Sequence, residues 1–374
     1  MDHKFVVKKH LLLALFMVSG LMLGTVLMLL PLVGFTRADT LPRQMAEIPQ
    51  VVTPVLTFFH TLPQAAEAER GIHDVSLLFV GDMMFDRTVA TRMKNAGSSY
   101  YPFGKISGFR DGTFGHVDLL VGNLEGPVTG KKAAPLKSID FSFDPFMAKV
   151  LKDEGFDAVS QANNHTLDQG RNGADESRKT LQENGLSVFG DEVRDDAEDS
   201  LTILQANGRK IALVGFNITD NALDKDAARA SIDQALIKAD KTVVFIHWGN
   251  EYKDKPNADQ IALAHWFIDL GADAVIGGHP HWMQGIESYD GKPIVYSLGN
   301  FIFDQDWSEE TGYGLSVVLN FGDKRSSLDL YPIHIEASQP TVLTGAVRDV
   351  RLEKLAQISD AALQDGIKSG TLEF

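Results

Sequence analysis

ADAVIGGHPH, residues 272–281, reads as a short apolar β-strand that runs straight into two glycines and a His-Pro-His triplet. So short an apolar run, closed off by glycine, suits a strand buried on both faces. Its polar residues then stand at the carboxyl end, where open α/β sheets present their ligand sites. Four other segments repeat the pattern. LLFVGDMM at 77–84 runs into Gly81-Asp82, LLVGNLEG at 119–126 into Asn123-Leu124-Glu125, AVSQANNH at 158–165 into Asn164-His165, and VVFIHWG at 243–249 into His247. Five strand ends of this kind predict a layered α/β domain with its chemistry on one rim.

The rest of the chain fits that frame. Further strands are expected at 210–216, 293–298, 314–321 and 327–336, the last two close enough to form a hairpin. Helices are expected at 86–95, 145–154, 173–184, 225–238 and 257–270, with Gly155, Gly185 and Gly271 as stops. The domain should span 73–338. A tail at 339–374, with Val350, Leu352, Leu355, Ile358 and Leu363 apolar, reads as an amphipathic helix packed on the domain surface.

Ahead of the domain, Lys4, Lys8 and Lys9 precede an uncharged apolar run at 11–36. At 1.5 Å per residue such a run can cross a hydrocarbon core of about 30 Å. The lysines should stay inside. The expectation is a cytoplasmic stretch at 1–10, a transmembrane signal anchor at 11–36 in contact with the lipid bilayer, a juxtamembrane linker at 37–72, and a single-pass protein of the cell membrane with its C-terminal domain extracytoplasmic. A cleaved signal peptide has a shorter apolar core of about 7–15 residues, and Thr36-Arg37-Ala38 is a poor cleavage site.

Composition narrows the chemistry. The 374 residues carry a formal net charge of -15 and no cysteine. No basic stripe could neutralise phosphates, so nucleic acid is not an expected partner. Disulfides, thiolate nucleophiles and Cys-ligated zinc are excluded. There is no Gly-x-Ser-x-Gly elbow, Walker loop or dinucleotide fingerprint. Any metal must be held by oxygen and imidazole.

His279 and His281, two apart on an extended backbone with Pro280 between them, would face the same way. Gly277 and Gly278 would let the backbone approach a metal without a Cβ in between. Asp82 also suits an N-cap for the helix near Asp86, Glu125 a plain surface residue, Asn164 an Asx-turn and His247 a core position, although glycine-flanked Asn123-Leu124-Glu125 reads as a tight turn that exposes a functional carboxylate. Convergence of five strand ends favours the metal reading over these. His265 and His334 fall inside a helix and a strand pattern and read as structural; His60, His73 and His116 carry no motif. Carboxylate, amide and imidazole donors together suit Mn, Zn or Fe(II), as one or two ions. Two ions would supply the positive charge that an anionic substrate needs and activate water for displacement at phosphorus.

Taken in order, Gly81-Asp82-Met83-Met84, Asn123-Leu124-Glu125-Gly126, Asn163-Asn164-His165-Thr166-Leu167-Asp168, His247-Trp248-Gly249-Asn250-Glu251-Tyr252, Gly278-His279-Pro280-His281 and Ser297-Leu298-Gly299-Asn300-Phe301 resemble the CapA family. That family comprises capsule-synthesis and poly-γ-glutamate biosynthesis proteins, related to calcineurin-like metallophosphoesterases. The resemblance covers about residues 75–320. It implies a four-layer α-β-β-α sandwich. It also implies Asp82, Glu125, Asn164, His247, His279 and His281 as metal ligands, with Glu125 bridging, and His165 as the catalytic histidine. Asn123, Asp168, Glu251, Asn300 and Asp304 become supporting or substrate-facing residues. One departure stands out: the metallophosphoesterase pattern has a histidine two residues after the first aspartate, and here that residue is Met84, a poor ligand for a hard ion.

Three functions follow as expectations. The first is a membrane-anchored component of capsule or poly-γ-glutamate synthesis or export, working with membrane polymer-synthesis partners on an anionic polymer and holding a metal-dependent phosphoesterase-type site. The second is an extracytoplasmic metal-dependent hydrolase acting on a small or lipid-linked phosphate-containing substrate. The third is a non-catalytic scaffold of a polymer-synthesis complex, which Met84 favours and His165 opposes.

Overall fold

The structure, a computed structural model, describes residues 74–106, 108–133, 137–190 and 200–374. The anchor expected at 11–36 and the linker at 37–72 lie outside these residues. Among the described residues no helix is long and apolar enough to cross a membrane.

The chain builds two sheets in turn and then returns to the first. It lays down β1 (Val75–Met83), β2 (Leu119–Leu124), β3 (Ala158–Ser160) and β4 (Ser187–Phe189), then a second sheet of β5 (Leu201–Ala206), β6 (Arg209–Asn217), β7 (Lys241–His247), β8 (Ala274–Gly278), β9 (Ile286–Tyr289) and β10 (Lys292–Val295). It closes with β11 (Asn300–Ile302), β12 (Tyr313–Phe321), β13 (Ser326–Glu336), β14 (Gln339–Val342) and β15 (Thr371–Glu373). The first sheet runs β14-β13-β12-β1-β2-β3-β4, with β11 on β1 and β15 on β13; the second runs β5-β6-β7-β8-β10-β9. Within them β1, β2, β3 and β4 are parallel, as are β6, β7 and β8.

Three apolar clusters show what holds the layers together. Leu77, Phe79 and Val121 of the first sheet meet Ile211, Val243, Phe245 and Ile276 of the second, with Phe79 stacked on Phe245 at 6.0 Å between centroids. The opposite faces are covered by helices. Leu78, Val80 and Leu120 pack under α1 (Arg87–Ala96), α2 (Phe146–Asp153) and α3 (Gly170–Glu183), whereas Val214, Val244 and Val275 pack under α4 (Lys225–Lys238) and α5 (Ala258–Asp269). Burial on both faces is why the parallel strands read as unbroken apolar runs rather than alternating ones.

Residues beyond β14 continue the same body. α6 (Gly345–Gln357) sends Leu352, Leu355 and Ala356 into the inter-sheet core, while α7 (Gln364–Ser369) leads into β15, which pairs with β13. Val350, read as part of the apolar face, is 58% exposed. β5 and β6 form a hairpin whose turn, Asn207-Gly208, has positive φ at both residues, the conformation a two-residue turn needs to match strand twist.

Candidate metal centre

Every strand end singled out from the sequence arrives at the same edge of the two sheets, and the first arrives by a deliberate irregularity. β1 pairs β2 with a register shift between Val80 and Asp82 and pairs β11 with another between Asp82 and Met83. Such an offset re-aims a side chain. Gly81 makes it possible, because a Cβ there would sit 2.0 Å from the Gly299 carbonyl oxygen, which instead accepts from the Asp82 N–H at 3.0 Å. Asp82 is thereby buried in the site rather than capping α1; that cap is Asp86.

Asp82, Glu125 and His281 each offer one ligand atom within 4.8 Å of the others. His281 lies with Nδ1 3.5 Å from Asp82 Oδ2 and Nε2 3.8 Å from Glu125 Oε1. Asn300 Oδ1 is 2.9 Å from the same Nδ1. The remaining donors adjoin them. Asn164 Oδ1 is 2.9 Å from His247 Nε2, the rings of His247 and His279 are 4.8 Å apart, and the His279 backbone N–H donates to Asp82 Oδ2 at 3.2 Å. Asn123 Nδ2 donates to Asp82 Oδ1 at 2.8 Å, and Asn163 Nδ2 to Asn123 Oδ1 at 3.0 Å. This polar chain holds the aspartate still, and Asn163 is a member that the motif reading passed over. Gly278 is part of the fit: a Cβ there would lie 2.8 Å from Asp82 Oδ1 and 3.5 Å from His247 Nδ1.

Two local expectations need correcting. Glu125 does not display its carboxylate on a surface turn, for it is fully buried. Nor is the His279–His281 backbone extended. Both residues have positive φ, 92° and 56°, so the pair converges through a left-handed turn rather than through strand alternation. That conformation costs of order 1 kcal/mol or more per residue outside glycine and persists where surroundings enforce it. Met84 is absent from the cluster. It is buried in the core beneath the helices, and its sulfur accepts from the Asp86 N–H at 3.0 Å.

His165 is placed differently from the other imidazoles. Its Nδ1 lies 2.6 Å from Asp168 Oδ2, its Nε2 lies 3.8 Å from Glu125 Oε1, and its ring stacks on Phe141 at 4.1 Å. An ionised carboxylate can only accept, so the Nδ1 proton belongs to this bond and Nε2 is left facing the cluster. Lys137 pairs with Asp168 at 2.8 Å. Of the remaining candidates, Glu251 stands exposed at the rim, its charge acting on Glu125 and His281. Asp304 accepts from Thr88 N at 3.0 Å and pairs with Arg87. Asp304 thus anchors the start of α1 at the edge of the centre.

Charge is poorly balanced inside this set, and the imbalance tests whether a metal fits. Both Glu125 oxygens and His279 Nδ1 are buried without a hydrogen-bond partner. Burial drives the Glu125 carboxyl well above the usual carboxylate range, although His281 opposes the shift. Burial also works against charge on His281, but Glu125 and Asp82 outweigh it and hold that imidazole up at about 9. Burial pulls His279 down to about 3 and His247 well below its ordinary value. His165 is lowered by burial too, with Asp168 pulling the other way. Orphaned oxygen and nitrogen atoms that face one another from two sheets are what a borderline divalent cation satisfies.

The metal-free protein should therefore be acid-sensitive. Unfolded, His279 titrates near 6.5, whereas folded it resists protonation down to about 3. At this residue the unfolded chain takes up its proton first, so the contribution of His279 is intact above about pH 6.5 and is lost as pH falls toward 3. His247 adds to this in the same direction. Melting curves in chelator across that range should show the decline, and His279→Gln should flatten it; equal slopes would remove His279 as the cause.

Comparison with known proteins follows from this geometry. The model of the family described as "Bacterial capsule synthesis protein PGA_cap" matches residues 76–305. The "PGA biosynthesis protein CapA" of Bacillus subtilis is 33% identical, over 71% of this chain and 73% of its own. The "Capsule biosynthesis protein CapA" of Bacillus anthracis is 30% identical, over 82% and 79%. Among solved structures, a phosphatase from Mycoplasma pneumoniae aligns at 14% identity with a TM-score of 0.39, covering 72% of this chain and 91% of its own.

Proposed function

Since the chain belongs to the PGA_cap family of bacterial capsule synthesis proteins, we propose that it serves synthesis or export of an anionic capsule polymer of the poly-γ-glutamate kind. It does so through a divalent-metal centre of phosphoesterase type. Residues 11–36 tether it to the cell membrane, its folded domain lies outside, and membrane-bound synthesis proteins are its partners.

The observation that carries this reading is the buried, partnerless Glu125 carboxylate, ringed by donors from both sheets. Asp82, Glu125 and His281 would hold one ion, and Asn164, His247 and His279 would hold a second where two are bound. Bound there, metal would polarise a phosphoryl or acyl oxygen and offset the charge of an anionic substrate. The chain's own residues do the rest. Asp168 fixes the His165 tautomer, so that Nε2 can take a proton and return it to a leaving oxygen. Phe141 keeps one face of that imidazole dry. Asn300 orients His281, and Asn123 orients Asp82.

Met84 favours a second reading, a polymer-synthesis component that holds metal but turns over slowly. Its side chain is committed to the core and leaves Asp82 without the neighbouring imidazole of the phosphoesterase pattern. Both readings meet one experiment. Elemental analysis of the full-length protein in detergent should find divalent metal, and His279→Ala should lose it. A metal-free parent, or a variant with undiminished content, would overturn the centre. Mn-dependent hydrolysis of a chromogenic phosphodiester would favour the esterase; metal without turnover would favour the slow component.

A further inference from the structure

Beside the metal centre lies a cleft of about 330 Å³ whose walls include Arg87 and its ion-pair partner Asp304 together with Ile139, Tyr252, Gln305 and Trp307. Its volume is within the range of small-molecule sites. Its two sides rest on the two functionally distinct imidazoles. The Tyr252 ring stacks over His281, 6.0 Å between centroids. Across from it, the Arg87 guanidinium lies 5.0 Å above the Phe141 ring, which itself covers His165. A polar thread ties the first side to the centre: His281 to Asn300 at 2.9 Å, Asn300 to Gln305 at 3.1 Å, and Gln305 to the Tyr252 hydroxyl at 3.4 Å. Anything bound in the cleft is therefore separated from His281 by the Tyr252 ring and from His165 by Arg87 and Phe141.

The rim is apolar where a soluble surface gains nothing from being so. Trp307 is 63% exposed and Ile139 48%, and Trp307 stands edge-on to Tyr252 at 4.8 Å. Adjacent exposed apolar side chains mark contact surfaces. The backbone gives an independent sign. Arg87 and Tyr252 both hold positive φ, 51° and 61°, a cost the fold accepts at each. Tyr252 is pinned there by its N–H to Pro280 O at 2.9 Å, and Arg87 by its N–H to Asp86 Oδ1 at 2.7 Å. The strain is spent on aiming a phenol and a guanidinium into one cleft. Arg87 also has capacity to spare: a guanidinium carries five donors, and among the described residues it donates only to Asp304.

From these observations we propose that the cleft is a substrate subsite for an acidic group carried on a carbon stem. Arg87 pairs with the oxyanion, and the stem lies against Tyr252 and Trp307. The planar fork of arginine suits carboxylate and phosphate alike. In a chain with a net charge of -15, Arg87, although shared with Asp304, adds a local cation for an anionic substrate beside the charge that a bound metal would supply. This inference rests on the proposed function, in that the neighbouring cluster is where the substrate reacts.

The test is binding to the full-length protein in detergent with manganese present. The probes are a short γ-linked glutamate oligomer and, separately, glycerol phosphate. One of the two should bind with an affinity that falls as salt rises, and which one binds tells carboxylate from phosphate. Arg87→Gln should weaken that binding roughly tenfold or more, and Trp307→Ala should weaken it several-fold, both with metal content unchanged. Arg87→Lys should restore only part, since an ammonium lacks the fork. If Arg87→Gln does not fold, Trp307→Ala decides alone, because its side chain is largely in solvent. Failure of both probes to bind the parent would overturn the subsite, as would affinities within twofold of the parent in both variants. A His279→Ala protein that keeps both its metal and its probe affinity would sink the metal centre and leave the cleft standing.

Discussion

Glu125→Gln should move stability and metal binding in opposite directions. With the carboxylate gone, metal affinity should fall on the order of 100-fold, the upper range for residues that tune a metal site. The metal-free protein, by contrast, should become the sturdier one at alkaline pH. Folded Glu125 holds its proton far above the 4.5 of an ordinary glutamate. Its contribution is therefore intact below about pH 4.5 and is lost progressively as pH rises toward the folded value. Glutamine has no charge to bury, so it removes that loss. Urea denaturation in chelator between pH 5 and 9, paired with metal titration, reads both effects. A variant less stable than the parent at pH 8 would mean that the carboxylate is satisfied in solution by something other than metal.

Gly277→Ala should be among the most damaging single methyl additions to the described domain. Its Cβ would lie 2.1 Å from the Tyr296 carbonyl oxygen and 2.5 Å from Trp248 Nε1, two atoms already hydrogen-bonded to each other at 2.8 Å. Neither can retreat, because Trp248 is fully buried. Overpacking of this kind costs about 3 kcal/mol or more. Gly130→Ala is the control, for its Cβ would meet nothing closer than 3.5 Å; it should change stability by about 0.5 kcal/mol or less. A Gly277→Ala protein with the parent's urea midpoint would show that β8 and the Tyr296 segment are not held this close.

These two glycines-and-carboxylate effects also show where sequence reasoning reached and where it stopped. The parallel strands were legible because burial on both faces leaves unbroken apolar runs, as in Val243 to Ile246. The helix expected at 225–238 has those bounds in the structure, where Asp224 caps it, accepting from the N–H groups of Asp226 and Ala227. The short strands were not legible. β4 and β11 have three residues each and owe their existence to neighbours rather than to local pattern. The β5–β6 hairpin did leave a signal in Asn207-Gly208, whose positive φ values are the usual property of that pair at a two-residue turn.

At the site, the identity of the clustered residues was readable but the manner of their meeting was not. Extended backbone at His279–His281 was the natural reading of His-Pro-His, yet the chain turns left-handed there. Phe141 was missed as functional because its segment has no ligand-type residue of its own at the centre, and Tyr252, although it closes the His247 motif, because a phenol was given no role there. Only the third dimension brings them onto His165 and His281.

The centre draws on both sheets: Asp82, Glu125 and Asn164 from the first, His247, His279 and His281 from the second. An ion gripped from both sides is a rivet through the seam. If both sheets hold it, its escape would be timed by the breathing of the folded frame. Metal lost slowly to excess chelator, at a rate set by denaturant rather than by chelator concentration, would be the kinetic mark of that construction.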